Sequence, residues 1–138
     1  MAYAGDLRPT EAWQMLKAEP EAQLVDVRTL PEWSFVGIPN LDSIGKKPIL
    51  LAWQAYPAMQ INPTFADEIR RRAPSSEAPL LFICRSGTRS RAAAERMTAL
   101  GYRRCYNVAE GFEGQVDAEG HRGRKAGWKA AGLPWNQD

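Results

Sequence analysis

The chain has 138 residues, of which 44% are apolar and 25% charged, and a formal net charge of +2. This length predicts a single domain over residues 1–138 that buries roughly two-thirds of its unfolded surface. The small net charge argues against a nucleic-acid partner, and the longest apolar runs, 48–53 and 79–84, fall far short of the ~20 residues that span a membrane.

The first half of the chain alternates between helical and strand-like patterns. Residues 10–18 predict a helix that is capped by Thr10 and has apolar residues at helical spacing. Two short apolar runs of strand length follow, over 22–27 and 47–54. The sequence therefore begins with a helix and two strands.

The second half continues the alternation. Its predicted elements are a helix over 62–73, a strand over 79–84, a helix over 90–101, a strand over 103–108 and a short helix over 123–132. Asn62 or Thr64 lies near the cap of the first of these helices, Pro74 closes it, and Gly101 ends the next. Strands that alternate with helices predict an α/β fold with a parallel sheet covered on both faces.

Cys84 falls at the carboxyl end of a predicted strand, where parallel sheets bind their ligands. The turn into the next helix leaves several backbone amides without a helical acceptor, and Gly87 permits a strained backbone there. The small Ser86, Thr88 and Ser90 leave those amides uncovered. Such a turn binds anions and favours a thiolate over a thiol.

Two interpretations of Cys84 compete. A free cysteine is often buried and inert. However, the seven residues after Cys84 include Arg85, Arg89 and Arg91 and no aliphatic side chain to cover a sulfur atom, which favours a reactive thiol. A cysteine-dependent phosphatase or arsenate reductase would place its arginine where Ser90 stands. Arg89 comes one residue earlier, which makes a tighter loop suited to a single terminal sulfur atom.

Four segments in order resemble the single-domain rhodanese-like sulfurtransferase family. They are "LVDVRTLPEW" (24–33), "FICRSGTRS" (82–90), "CYNVAEGFEG" (105–114) and "GWKAAGLPW" (127–135). This resemblance implies a rhodanese-like fold, with a five-stranded parallel sheet and helices on both faces.

The resemblance also implies a sulfurtransferase reaction. Cys84 would take a sulfur atom from a small anionic donor such as thiosulfate and pass the persulfide sulfur to a thiol or protein acceptor. The loop amides from Arg85 through Ser86, Gly87 and Thr88 to Arg89 would hold the persulfide, and the two arginines would attract the donor. Neither a metal nor an organic cofactor is required. The alternative is a non-catalytic or regulatory rhodanese-type binding module, against which the intact Cys84 argues.

The connection over 36–62 departs from the family pattern. "VGIPNLDS" (36–43) lacks the histidine that family members often carry there, and a longer segment follows. Trp53, Tyr56 and Met59 in that segment would form either an apolar rim for an acceptor or part of the core. The sequence leaves the acceptor open.

Several other residues have two interpretations each. Asp26 would orient the active-site loop or Arg28, or would cap nearby amides at the end of its strand. Arg28 and Glu32 are expected to pair with each other or with neighbouring backbone. Cys105 is expected to be a buried spectator rather than a resolving thiol.

The compartment and the assembly are also predicted from the sequence. The first ten residues lack a basic start followed by an apolar core, so we expect a cytoplasmic location. Cys84 and Cys105 lack metal-ligand spacing, and His121 is expected to lie in a surface loop. No metal is expected, and the chain is expected to be a monomer or a weak dimer.

Overall fold

The structure is a computed structural model that describes residues 3–55, 60–122 and 125–137. The strands are β1 (Gly5–Leu7), β2 (Gln23–Asp26), β3 (Ile38–Pro39), β4 (Ile49–Leu50), β5 (Gln54–Ala55), β6 (Gln60–Ile61), β7 (Leu80–Ile83), β8 (Cys105–Val108) and β9 (Trp135–Asn136). The α-helices are α1 (Pro9–Ala18), α2 (Leu30–Val36), α3 (Phe65–Arg72) and α4 (Thr88–Ala99), and a short 3-10 helix spans Asp42–Ile44.

Five strands form one parallel sheet in the order β1-β8-β7-β2-β4. The buried run over 79–84 supplies the central strand β7, in which all four residues are buried. Because all five strands are parallel, the carboxyl ends of β7, β2 and β8 lie at one edge of the sheet. The predicted five-stranded parallel sheet is confirmed.

Helices cover both faces of the sheet. On one face α3 and α4 pack Phe65, Ile69 and Met97 against alternate strand residues such as Val25 and Phe82. On the other face the core holds the α1 residues Ala12 and Leu16, the strand residues Leu24, Leu81 and Val108, and two aromatic residues from the C-terminal third, Phe112 and Trp128. Neighbouring strand residues thus point to opposite faces, as the two-residue period of a strand requires.

The boundaries of the predicted elements differ from the observed ones at particular places. The first helix begins at Pro9 rather than at Thr10, with Arg8 as its cap, because the carboxylate of Glu11 accepts the backbone amide of Arg8 at 2.8 Å. α4 begins at Thr88, two residues before its predicted start, so the end of the cysteine loop is already helical. The predicted helix over 123–132 is wrong over its described part, since residues 125–132 form bends and turns around Gly127 and Gly132, both at positive φ.

Two short antiparallel pairs flank the main sheet. β5 pairs with β6 inside the 36–62 connection, and β3 pairs with β9 near the C-terminal end of the described chain. β1, β9 and α2 have no counterpart among the elements predicted from hydrophobic pattern. They are three, two and seven residues long, and such segments are too short for a period to be visible.

Candidate active site

The sulfur of Cys84 lies at the amino terminus of α4. Cys84 directly follows β7, and its Sγ accepts hydrogen bonds from the backbone amides of Gly87, at 3.2 Å, and Ser90, at 3.3 Å. The Ser90 amide is one of those that an α-helix leaves without an internal acceptor, and the sulfur satisfies it. Of the loop amides that were predicted to hold the sulfur, Gly87 donates to Sγ, and the second donor is Ser90, one residue beyond the predicted set.

The accessibility expected for this sulfur is not found. Cys84 is 1% exposed and belongs to the same buried cluster as Val27, Phe82 and Ala93. The absence of aliphatic side chains in the loop suggested an open sulfur, but the loop's own backbone and the α4 side chains cover it. Arg85 is exposed and Arg89 partly exposed, so these two carry the loop's polar surface.

Two glycines allow the loop to pack closely against the turn after β8. Gly87 has φ = 109°, and a Cβ there would lie 2.1 Å from the carbonyl oxygen of Ala109. A Cβ on Gly111 would lie 2.4 Å from the carbonyl oxygen of Arg85. The carbonyl of Cys84 also accepts the amide of Phe112 at 2.8 Å. The loop is thus fixed by backbone contacts on both sides.

Arg89 and Glu32 form a two-point ion pair between the loop and α2. Arg89 Nη1 donates to Glu32 Oε1 at 2.7 Å, and Nη2 donates to Oε2 at 2.9 Å. These hydrogen bonds raise the pKa of Arg89. Burial alone would raise the pKa of Glu32, but Arg89 and the donors of Thr29 outweigh it and lower that pKa. Arg89, predicted to attract an anionic donor, is therefore already paired.

Asp26 and Arg28 form a second ion pair, and both side chains are fully buried. Arg28 Nη2 donates to Asp26 Oδ2 and to the carbonyl of Gly37, each at 2.7 Å, and its guanidinium stacks 4.3 Å from the centre of the Phe112 ring. Its Nη1 has no hydrogen-bond partner within the described residues. Asp26 Oδ1 also accepts the backbone amide of Arg28 at 3.1 Å, so this carboxylate both bonds the Arg28 side chain and caps an amide at the end of β2.

The expected pairing of Arg28 with Glu32 is wrong. Each has a different ionic partner, because the carboxylate of Asp26 is two residues from Arg28 and the end of β2 holds both inside the fold. The other half of that expectation, pairing with neighbouring backbone, is confirmed. Arg28 donates to the Gly37 carbonyl, and Glu32 accepts the Thr29 amide at 3.2 Å.

A cleft of about 500 Å³ opens beside the loop. It is lined by Glu32, Val36, Gln54, Arg85, Arg89, Glu113 and Arg122. Three arginines and two glutamates leave one net positive charge there, which suits a small anion. Cys84 is not among the lining residues, so a ligand in this cleft contacts the flanks of the loop rather than Sγ.

The 36–62 connection contributes Val36 and Gln54 to the cleft. Trp53 is 9% exposed and packs edge-to-face on Phe65 with ring centres 5.0 Å apart, so it belongs to the core and not to a rim. Tyr56 and Met59 lie outside the described residues.

Behind Cys84 lies a polar chain that the sequence analysis did not identify. Ser90 Oγ lies 3.2 Å from Cys84 Sγ and donates to Asn107 Oδ1 at 2.6 Å. Asn107 Nδ2 donates to Asp6 Oδ1 at 3.1 Å, and the hydroxyl of Tyr3 donates to the same oxygen at 2.6 Å. Two features of the sequence could have indicated this chain: the amide of Asn107 near the apolar end of β8, and Ser90 directly after the loop.

The remaining titratable candidates lie apart from this arrangement. Cys105 is fully buried, and burial raises its pKa to about 11, which confirms that it is a buried thiol. His121 is exposed in a loop, as predicted. Within residues 3–55, 60–122 and 125–137, no three histidine, cysteine or acidic side chains converge as metal ligands, and no helix is both long and apolar enough to cross a bilayer.

Known proteins match this chain over nearly its full length. The family model described as the STR4 middle domain matches residues 5–138. RC0915, an uncharacterised protein of Rickettsia conorii, is 42% identical over 127 residues, which are 91% of this chain and 92% of that protein. The thiosulfate sulfurtransferase GlpE of Glaesserella parasuis is 29% identical over 83% of this chain and 88% of its own length.

The crystal structure of Rv0390 from M. tuberculosis is also similar. It superposes with a TM-score of 0.91 at 49% sequence identity, covering 99% of this chain and 100% of that one. The family model spans residues 5–138, a range that includes the five-stranded sheet, the cysteine loop and the C-terminal turns. The chain belongs to the STR4 middle domain family, a rhodanese-like family of α/β proteins.

Proposed function

We propose that this rhodanese-type domain is a sulfurtransferase in which Cys84 carries the transferred sulfur as a persulfide. The observation that carries the proposal is the pair of backbone amides, from Gly87 and Ser90, directed at Sγ at 3.2 and 3.3 Å. The amides of Thr88 and Arg89 begin the same helix and also lack intrahelical acceptors. Together these donors supply a site for a sulfur anion.

The reaction proceeds in two steps. In the first, the Cys84 thiolate attacks the outer sulfur of thiosulfate, the sulfur–sulfur bond of the donor breaks, and sulfite leaves with the bonding electrons. In the second, the thiolate of an acceptor attacks the outer sulfur of the persulfide, and Cys84 leaves as a thiolate. This is covalent nucleophilic catalysis, for which ping-pong kinetics are expected.

The cleft beside the loop is the proposed entry for the donor. Arg85, Arg122 and Glu113 line this cleft, while Arg89 is held by Glu32. Because Cys84 is 1% exposed, the loop side chains must move before the outer sulfur of the donor reaches Sγ. We propose that the physiological acceptor is a thiol or a protein, and that the domain acts in the cytoplasm as a monomer or a weak dimer.

The burial of Cys84 favours a second candidate, a rhodanese-type binding module that transfers no sulfur. The two candidates differ in one measurable property. A sulfurtransferase gains a sulfur atom on Cys84 when it meets a donor, and a binding module does not.

Intact-mass measurement after incubation with thiosulfate tests the proposal. We expect the wild-type protein to gain the mass of one sulfur atom and to release an equal amount of sulfite, and Cys84→Ser to do neither while remaining folded. Cys105→Ser is the matched control, because it removes the other buried thiol, and it should keep both signals. An unchanged wild-type mass would favour the binding module, and sulfite release by Cys84→Ser would remove Cys84 as the nucleophile.

A further inference from the structure

A line of hydrogen bonds connects the buried sulfur of Cys84 to the protein surface. It runs from Sγ through Ser90 and Asn107 to Asp6 and Tyr3. Ser90 is fully buried and Asn107 is 3% exposed, whereas Asp6 lies at the exposed edge strand β1. A surface carboxylate is thus linked to the thiol through three contacts.

Asp6 determines which way the Asn107 amide faces. A carboxylate oxygen accepts hydrogen bonds and cannot donate them, so the Asn107 group that faces Asp6 at 3.1 Å must be the NH₂. The amide oxygen therefore faces Ser90. This orientation leaves Asn107 as an acceptor toward the active site.

The orientation of Asn107 fixes the single proton of the Ser90 hydroxyl. The hydroxyl donates to Asn107 Oδ1 at 2.6 Å, so it presents a lone pair to Cys84 Sγ at 3.2 Å. When Cys84 is a neutral thiol, the proton between sulfur and oxygen is therefore its own, and the thiol donates to Ser90. The sulfur meanwhile accepts the amides of Gly87 and Ser90. All hydrogen-bonding positions of the neutral thiol are filled.

Loss of the thiol proton disrupts this arrangement. The Ser90 lone pair would then face a negative sulfur, which is repulsive. Rotation of the Ser90 hydroxyl toward Sγ relieves the repulsion but leaves the buried Asn107 oxygen without a donor, which costs free energy. The loop amides favour the thiolate, and the polar chain opposes it.

We propose that Ser90, Asn107 and Asp6 are positioning residues that restrain Cys84 as a thiol and so set how readily it ionises. The proposal rests on Cys84 as the nucleophile of the proposed function, but its test uses no sulfur donor, so either can fail alone. Removing Asp6 frees the Asn107 amide to turn its NH₂ toward Ser90. The Ser90 hydroxyl can then donate to the thiolate without leaving an unpaired acceptor.

Other charged or titratable groups also face this line, and Asp6→Ala leaves all of them in place while it removes the acceptor of the Tyr3 hydroxyl. Arg89, paired with Glu32, and Asp26, paired with Arg28, act on the thiol end. At the other end the Tyr3 hydroxyl contacts Asp6, and Arg91 and Glu95 of α4 lie near it. Their charges do not depend on the orientation of the Asn107 amide.

The test is a titration of the thiolate by its ultraviolet absorbance, with Cys84→Ser introduced into each variant as its own blank, which removes the signals of Cys105 and the tyrosines. We expect Asp6→Ala to lower the midpoint of the Cys84 signal by about one pH unit, which is about tenfold more thiolate at a given pH below it. Asp6 is exposed, so this variant should fold. Asn107→Ala should shift the midpoint in the same direction. Tyr3→Phe, which keeps the Asp6–Asn107 bond, should not.

The same titration in a Ser90→Ala background separates hydrogen bonding from charge. Without the Ser90 hydroxyl the orientation of Asn107 cannot reach the sulfur, so Asp6→Ala should then have no effect. An equal shift in both backgrounds would mean that Asp6 acts through its charge alone, and the proposal would be wrong. A midpoint that Asp6→Ala does not change in the wild-type background would overturn it as well.

Discussion

At the scale of single residues, the ion pair between Arg89 and Glu32 decides how much positive charge the cleft offers. Both residues appear in the motifs of the sequence, but their pairing does not. They are 57 positions apart, and the chain alone does not show that α2 approaches the cysteine loop. The Glu32 carboxylate lies 2.7 Å from the Arg89 guanidinium and therefore competes with any anionic ligand for it.

Glu32→Gln is therefore expected to improve thiosulfate binding. The change frees Arg89 and removes a negative charge, and a unit charge about 4 Å away contributes about 1 kcal/mol even in water. We expect the KM for thiosulfate to fall about threefold to tenfold in a sulfite-release assay.

Glu113→Gln is the matched control for this prediction. Glu113 also lines the cleft, so the control removes the same charge and leaves the Arg89–Glu32 pair intact. A smaller fall in KM is expected for it. An equal fall in both variants would show that net charge matters and that release of Arg89 does not.

At the scale of elements, the sequence predicted the parallel strands that position the candidate site but not the short elements around it. The apolar run over 79–84 predicted β7, and the strand predicted over 103–108 is β8, which begins two residues later because Arg103 and Arg104 lie outside the core. The capping box formed by Thr29 and Glu32 marks the start of α2. It was not used to predict a helix there, because this seven-residue helix buries no residue. The burial of Cys84 was mispredicted because the loop was judged by its own side chains, whereas residues of other elements, such as Val27 and Ala93, share its buried cluster.

Gly87→Ala tests whether the loop depends on its contact with that turn. Positive φ alone costs an alanine about 1–2 kcal/mol. At Gly87 the new Cβ would also lie 2.1 Å from the Ala109 carbonyl oxygen, so the loop or the turn must shift. We expect a loss of more than about 3 kcal/mol in the free energy of unfolding, measured with urea.

Gly101→Ala provides the comparison. Gly101 has φ = 106°, almost the same as Gly87, but a Cβ there meets nothing within 4 Å. It should lose only about 1–2 kcal/mol, the cost of the backbone conformation. Similar losses at the two glycines would contradict the assigned role of the close contact.

At the scale of the whole molecule, the buried Asp26–Arg28 pair joins three separate segments. It sits at the end of β2, bonds to the Gly37 carbonyl after α2 and stacks on Phe112 in the turn after β8. The sequence analysis offered an Asp26–Arg28 contact as only one interpretation of Asp26, and it did not predict the complete burial of the pair. A motif specifies local partners, whereas burial depends on all the elements that close over it.

Arg28→Ala should cost about 3–5 kcal/mol in the free energy of unfolding, because it leaves the Asp26 carboxylate buried without a partner. Arg28→Lys should recover little, since an ammonium cannot serve both carboxylate oxygens and the Gly37 carbonyl with the same planar fork. Urea unfolding of both variants measures this.

An exposed ion pair calibrates the measurement. Arg103 and Glu77 are 3.2 Å apart with side chains 75% and 66% exposed, so Arg103→Ala should cost less than about 1 kcal/mol. Full stability of Arg28→Lys would show that charge alone suffices at position 28.

The pairing of β3 with β9 has a consequence for the order in which the site is assembled during translation. Residues 135–136 pair with residues 38–39, and Lys129 donates to the Val36 carbonyl. The α2 wall of the cleft is therefore stabilised by residues that come about ninety positions or more later in the sequence. The cysteine loop and the turn that clamps it are complete by residue 114. A polypeptide leaving the ribosome therefore presents every residue of the cysteine loop and its clamping turn before the residues that secure the entrance.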